Sequence, residues 1–140
     1  MYDPSTIRAA IVTILKTITQ LAFVYDYPNA NPEGYPCAIL DMDADDGKYL
    51  DQNTNVHTIT FKIWIIQEIT IVGQDTAISQ LDTACKYVIP ALEKISNMSL
   101  GGSVIWTEPT SGGRKQTQTE NGPVFYKEVI LKCNVTSAIQ

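Results

Sequence analysis

The stretch that decides the fold is NVHTITFKIWIIQE, residues 55–68. Apolar and polar side chains alternate along it with a period of two, which is typical of a strand with one buried face. The predicted core face carries His57, Ile59, Phe61, Ile63 and Ile65, and the opposite face carries Thr58, Thr60, Lys62 and Trp64. An aromatic side chain on the face away from the core either packs under a helix or marks an interface.

Helical spacing occurs on both sides of this strand. Residues 3–21 begin with Asp3 as the expected N-cap and Pro4 at the first helical position. Residues 73–97 form the second expected helix, with Asp75 as its cap and a kink or break at Pro90. The apolar stripes are Ile7, Ile11, Ile14, Ile18 and Leu21 in the first helix, and Ile78, Leu81, Cys85, Val88, Leu92 and Ile95 in the second.

Four further strands complete the predicted element order. They cover residues 22–25, 37–40, 103–106 and 124–137, the last with Lys127 as a charged misfit on its apolar face. The order helix, strand, strand, strand, helix, strand, strand predicts an α+β fold, with a mainly antiparallel sheet and two helices packed on it. A chain of 140 residues is expected to form one domain, 1–140.

Two polar segments are expected to connect these elements. AILDMDADDGKYLDQN, residues 38–53, begins in the strand 37–40 and is predicted to continue into an acidic turn. An EF-hand loop starting at Asp41 fails, because Asp46 occupies the glycine position and Gln52 replaces the bidentate Glu. Residues 107–122 lack apolar side chains other than proline, so they are predicted to form a long, mobile polar loop.

Composition and motifs exclude several function classes. A formal net charge of −5 argues against tight nucleic-acid binding, and no secretory signal or membrane-spanning stretch is seen, so a soluble protein made in the cytoplasm is expected. Three widely spaced cysteines and one histidine suggest neither a metal site nor a disulfide framework. Without a nucleophile, base and orienting group in one motif, no enzyme activity and no cofactor are expected.

The chain resembles the tail terminator and head-tail completion proteins of long-tailed bacteriophages. The resemblance rests on the first helix running into VYDYP, then GYPCAIL, the acidic segment and YLDQNTNVHTITFKIWI, and it continues through the second helix and last strand. It implies a non-enzymatic virion protein of the tail and neck region. Subunits of that family form a ring, commonly of six, that caps the tail tube and joins it to head connector proteins.

The resemblance also suggests roles for particular residues. Such a ring surrounds a channel through which genomic DNA passes without specific binding, and Asp43, Asp45 and Asp46 of the acidic turn are candidates to face it. Contacts with another subunit or the tail tube are expected from Arg114, Lys115, Gln116, Gln118 and Trp64. Two alternatives stay open: a head-side connector or stopper protein, and a small ligand- or calcium-binding module.

Overall fold

The computed structural model describes residues 4–26, 32–49, 54–93, 106–119 and 122–138. Two helices, α1 (Pro4–Lys16) and α2 (Gln74–Glu93), accompany six strands. The strands are β1 (Phe23–Tyr25), β2 (Cys37–Tyr49), β3 (Thr54–Glu68), β4 (Trp106–Ser111), β5 (Lys115–Thr119) and β6 (Gly122–Ala138). The predicted α+β class is confirmed, and the described elements include one strand more than expected.

The strands form one sheet in the order β1-β2-β3-β6-β4, with β5 also paired to β6. The β1–β2 pair is parallel and the other pairs are antiparallel. The longest pairing joins β3 to β6, from Thr54 opposite Ala138 to Glu68 opposite Val124. The stretch that carries the strongest strand signal therefore lies at the centre of the sheet.

Alternation along β3 and β6 produces the buried face, as predicted. Ile59, Phe61, Ile63 and Ile65 on β3 are fully buried, and the partners of Phe61 and Ile63 on β6, Leu131 and Val129, are buried as well. The same cluster contains Ile7, Ile11, Ile14 and Leu15 of α1 and Ala77, Leu81, Ala84, Val88 and Leu92 of α2. Both helices therefore pack on this face, which removes their apolar stripes from water.

Lys127, the charged residue on the apolar face of β6, forms an ion pair with a residue of α2. Its Nζ lies 3.1 Å from Oδ1 of Asp82 on α2. The lysine side chain is 22% exposed and the aspartate side chain 52% exposed, so the pair lies at the margin of the core. A long lysine stem can cover apolar surface there while its charged end meets a carboxylate near water.

The predicted polar loop at 107–122 is wrong over most of its length. Residues up to Ser111 belong to β4, and Lys115–Thr119 form β5; both strands pair with β6. The far side of β6 would otherwise present unpaired backbone groups, which a polar edge strand satisfies without apolar side chains. The lack of apolar residues therefore reflected an exposed edge strand.

The acidic segment is also misplaced by the sequence prediction. Asp43, Asp45 and Asp46 lie within β2, which pairs with β3 as far as Tyr49 opposite Asn55, so they are not in a turn. The register shifts between Met42 and Ala44, which leaves Asp43 at a β-bulge. The connection between the strands, residues 50–53, lies outside the described residues. Pairing along the long β3 strand outweighs the turn preference of these aspartates.

Two details of α2 differ from expectation. The carbonyl oxygen of Gly73 accepts a hydrogen bond from the N–H of Ala77 at 2.9 Å, and Gly73 has a φ of 86°. Gly73 is therefore the N-cap residue, and Asp75, the expected cap, lies in the first turn of the helix. The helix also continues through Pro90 to Glu93, so Pro90 does not break it, and the kink that was the other expectation stays a prediction. Because Pro90 is exposed and close to the helix end, the carbonyl that it leaves without a donor can bond to water.

Candidate functional site

The face of the sheet opposite the helices, here called the outer face, carries an aromatic surface. Two rows of paired residues cross it. One row joins Tyr25, Ile39, Trp64 and Glu128, and the next joins Phe23, Cys37, Ile66 and Tyr126. We call Phe23, Tyr25, Trp64 and Tyr126, with Ile39 and Ile66 between them, the aromatic patch.

The aromatic patch is partly open to solvent. Phe23 is 39% exposed, and its ring stacks on that of Tyr25 with centroids 6.2 Å apart and planes inclined by 14°. Trp64, Ile66 and Tyr126 are half-buried, whereas Ile39 is buried among them. Both described helices pack on the other face of the sheet, so neither of them covers the aromatic patch. Its partly exposed aromatic side chains are suited to contact with another protein.

Glu128 fixes Trp64 within the patch. The indole Nε1–H of Trp64 donates to Oε2 of Glu128 at 3.1 Å, and Nζ of Lys62 lies 4.0 Å from Oε1 of the same carboxylate. The ion pair is long and partly exposed, so the indole hydrogen bond contributes more to the orientation of the ring. The partly exposed Trp64 ring is therefore held in one orientation, and its indole nitrogen is already hydrogen-bonded within the chain.

The predicted contact residues on the last hairpin are all exposed, but they divide between two faces. Lys115 pairs opposite Tyr126, which places it beside the aromatic patch on the outer face. Gln116 and Gln118 alternate onto the other face. Arg114 lies with its guanidinium carbon 5.3 Å from the centre of the Phe125 ring, a cation–π contact within the chain. Among the predicted residues, the structure places Trp64 and Lys115 on the same face of the sheet, on the two strands that flank β6.

The acidic segment lies toward the other end of the sheet. Asp45 is opposite Ile59, whose partner on β6 is Cys133, whereas Lys115 is opposite Tyr126. Seven residues of β6 separate these two positions, which is about 23 Å at about 3.3 Å per strand residue. Asp43, Asp45 and Asp46 therefore do not belong to the aromatic patch.

Sequence reasoning identified Trp64 but missed the rest of the aromatic patch. Tyr126 carries a readable signal, since it alternates with the apolar residues of the last strand and must face away from the core. Phe23 and Tyr25 carry no such signal. Their place depends on the parallel register of a strand of three residues, Phe23–Tyr25, against Cys37–Ile39.

A cleft of about 530 Å³ opens at the end of the sheet where β3 meets α2. Its wall includes Glu33, Tyr35, Gln67, Glu68 and Ile71. Oε2 of Glu68 accepts the N–H of Ile71 at 2.8 Å, and the Ile71 side chain itself is 87% exposed. Burial, with smaller contributions from Cys37, Glu68 and Tyr25, raises the pKa of the Tyr35 phenol, which therefore stays protonated at neutral pH.

The three cysteine thiols are predicted to react slowly in the folded protein. Burial raises the pKa of Cys37 and Cys133 to about 12 and that of Cys85 to about 11, from 9.0, so little thiolate exists at pH 8. A chromogenic disulfide reagent should label all three quickly only after denaturation. Fast stoichiometric labelling of the folded protein at pH 8 would contradict this.

The same pKa shifts predict a loss of stability in alkali. A thiol whose pKa is higher in the folded state stabilises the fold fully below pH 9, and this contribution is lost as the pH rises from 9 through about 12. Urea titrations at pH 8 and pH 10.5 should show the lower free energy of unfolding at pH 10.5. Equal values would count against the buried environment of Cys37 and Cys133.

Within the described ranges, no group of three or more His, Cys, Asp or Glu side chains is placed to hold a metal ion. None of the helices in that part of the chain is long and apolar enough to cross a bilayer.

Comparison with known proteins gives a structural likeness. No protein-family model matches the chain, and no curated protein matches its sequence. A solved structure described as the virion of a native gene transfer agent (GTA) particle contains a chain of similar fold, with a TM-score of 0.52 and 13% sequence identity. The alignment covers 93% of this chain and 94% of that chain. The two chains therefore share a fold over nearly their whole lengths.

Proposed function

We propose that this protein is a structural virion protein without enzymatic activity, and more specifically a tail terminator subunit. In this proposal, subunits form a ring, of six copies in the expected case, that caps the phage tail tube and joins it to head connector proteins. The observation that carries it is the shared fold with a chain of a virion particle over 93% of the sequence. The sequence resemblance to tail terminators supplies the specific role.

The surfaces of the sheet suit assembly into a ring. The half-exposed aromatic patch offers apolar area, and the sheet ends in edge strands, β1 on one side and β4 with β5 on the other, which a neighbouring subunit can cover. Because the two edges of the sheet differ, contact between one edge of a subunit and the opposite edge of its neighbour is head-to-tail, the arrangement that closes into a ring. Trp64 anchors this contact, and Lys115, with Arg114, Gln116 and Gln118, orients the subunit against its neighbour or the tube.

The charge of the chain fits a channel for DNA. Each subunit contributes a formal charge of −5, so a ring of such subunits repels the phosphate backbone. Asp43, Asp45 and Asp46 on β2 are the proposed lining of this channel. Genomic DNA then passes through the lumen without specific binding.

Purified protein mixed with isolated tail tubes is expected to form rings on tube ends, visible by negative-stain electron microscopy. Lys115→Ala should lower the fraction of capped tubes, because it removes an exposed cation beside the aromatic patch. Lys16→Ala is the matched control, since it removes an exposed cation from the last turn of α1. It should cap tubes normally.

The same images separate the tail terminator from a head-side connector or stopper. Only monomers in the presence of tubes would contradict the ring. Rings attached to filled heads but not to tubes would assign the protein to the head-side connector or stopper class instead.

A further inference from the structure

A residue that lines the cleft at the end of the sheet carries a buried hydrogen-bond acceptor without a donor. Gln67 lines the cleft and is 1% exposed, and its Oε1 has no hydrogen-bond partner among the described residues. Leaving a buried polar atom of this kind unsatisfied destabilises the fold, so native proteins keep few of them, and each calls for an explanation. A bound group that donates to Oε1 would remove this cost.

The orientation of the Gln67 amide is set by its other bond. Nε2 of Gln67 donates to the carbonyl oxygen of Glu68 at 3.1 Å. A carbonyl oxygen can only accept, so the nitrogen must lie on that side and the amide cannot be flipped to satisfy Oε1. The unsatisfied atom is therefore an acceptor, and a ligand for it must carry an N–H or O–H donor.

The charges around the cleft specify the ligand further. Glu33 and Glu68 line it, and none of the described lining residues is a lysine, arginine or histidine. Glu68 uses Oε2 to accept the Ile71 N–H, which holds its carboxylate at the wall. Carboxylates beside a neutral acceptor favour a cationic donor over a neutral one, because hydrogen bonds assisted by charge are stronger.

We propose that this cleft binds the ammonium or guanidinium group of a basic side chain from a partner protein. In the bound state the wall of the cleft yields enough to expose Oε1 of Gln67, and the cation donates to it while Glu33 and Glu68 balance its charge. A volume of about 530 Å³ falls within the about 300–1,000 Å³ typical of binding pockets and admits the flanking residues of a peptide as well. The exposed Ile71 side chain at the cleft provides apolar contact for those residues.

Capped arginine peptides test this proposal by titration calorimetry and by amide NMR. The probe is acetyl-Gly-Arg-Gly-amide, and the same peptide with citrulline is the neutral control. Saturable binding of the arginine peptide should shift the Gln67 side-chain NH₂ resonances, and citrulline should weaken the affinity about tenfold or more. Nα-acetylarginine, which carries an α-carboxylate without an α-ammonium, should bind less well than the capped peptide, because the acidic wall repels that carboxylate. Equal or tighter binding of Nα-acetylarginine would point to a small-molecule ligand and overturn the assignment to a protein partner.

Three variants locate the site. Gln67→Leu should abolish or weaken binding at least about tenfold while the fold persists, because it replaces an unsatisfied acceptor with an apolar side chain. Glu68→Gln keeps an oxygen for the Ile71 N–H and removes the charge, so it should weaken binding of arginine more than of citrulline. Asp26→Asn, an exposed change of equal charge at a residue that does not line the cleft, should leave the affinity unchanged.

Several outcomes would overturn the proposal. They are no saturable binding, equal affinity for arginine and citrulline, or unchanged affinity in both Gln67→Leu and Glu68→Gln. The titrations use the free protein, so they fail or succeed independently of ring formation on tail tubes.

Discussion

Replacing residues 107–119 with a short Gly-Ser turn is expected to unfold the protein. The sequence alone predicted a loop here, whose removal should leave thermal stability nearly unchanged. In the structure these residues form most of β4 and all of β5, and both strands pair along β6. Their loss removes the ladder hydrogen bonds of β4 and β5 to β6 and the contacts of β4 with α2. At about 0.5–1.5 kcal/mol net per hydrogen bond, this loss is comparable with the whole margin of about 5–15 kcal/mol of a typical domain.

Circular dichroism melts would show this result directly. Gly113→Ser is the matched control, because Gly113 is exposed between the two strands and a Cβ there meets nothing within 4 Å. Its melting temperature should equal that of the wild type. A replacement variant that retains the wild-type melting temperature would show that the pairing of β4 and β5 contributes little to the fold.

Phe61→Ala is expected to cost about 3–5 kcal/mol of unfolding free energy. Phe61 is fully buried at the middle of β3, opposite Met42 on β2 and Leu131 on β6. Truncation removes its apolar area from the core and leaves a cavity that strands paired on both sides cannot easily close. Urea denaturation followed by far-ultraviolet circular dichroism measures the change.

Tyr87→Ala provides the comparison for this aromatic truncation. Tyr87 lies on α2 and is 43% exposed, so its loss should change the unfolding free energy by about 0.5 kcal/mol or less. A cost below about 1 kcal/mol for Phe61→Ala would contradict the central position assigned to β3.

Side-chain periodicity predicted the parts of the fold that bury apolar area. The alternation of β3 and the apolar face from Phe125 to Cys133 carry such a signal, and both were predicted from the sequence. The stripe predicted for α2 is confirmed in part: Leu81, Val88 and Leu92 are buried, Ile78 and Cys85 are half-buried, and Ile95 lies outside the described residues. Lys127 broke the pattern on β6, and its partner Asp82 became evident only when the structure placed α2 against that strand.

A strand that pairs through its backbone without burying apolar side chains has no comparable pattern in its sequence. Thr, Ser, Gly and Gln in β4, β5 and their connection are equally common in loops, so an edge strand looked like a loop. Aspartates in β2 suggested a turn for the same reason. The aromatic patch and the cleft at Gln67 were also beyond prediction, because each combines strands or loops that only the sheet register brings together.

The pairing of β3 with β6 determines when the chain can fold. These two strands make the longest contact in the sheet, yet α2, β4 and β5 lie between them in the chain. Closing so distant a pair costs entropy before any contact repays it, which slows folding. During synthesis, one edge of β3 stays unpaired until β6 has been made. In that interval the apolar face of β3 is protected from aggregation only by packing with α2 or by a chaperone.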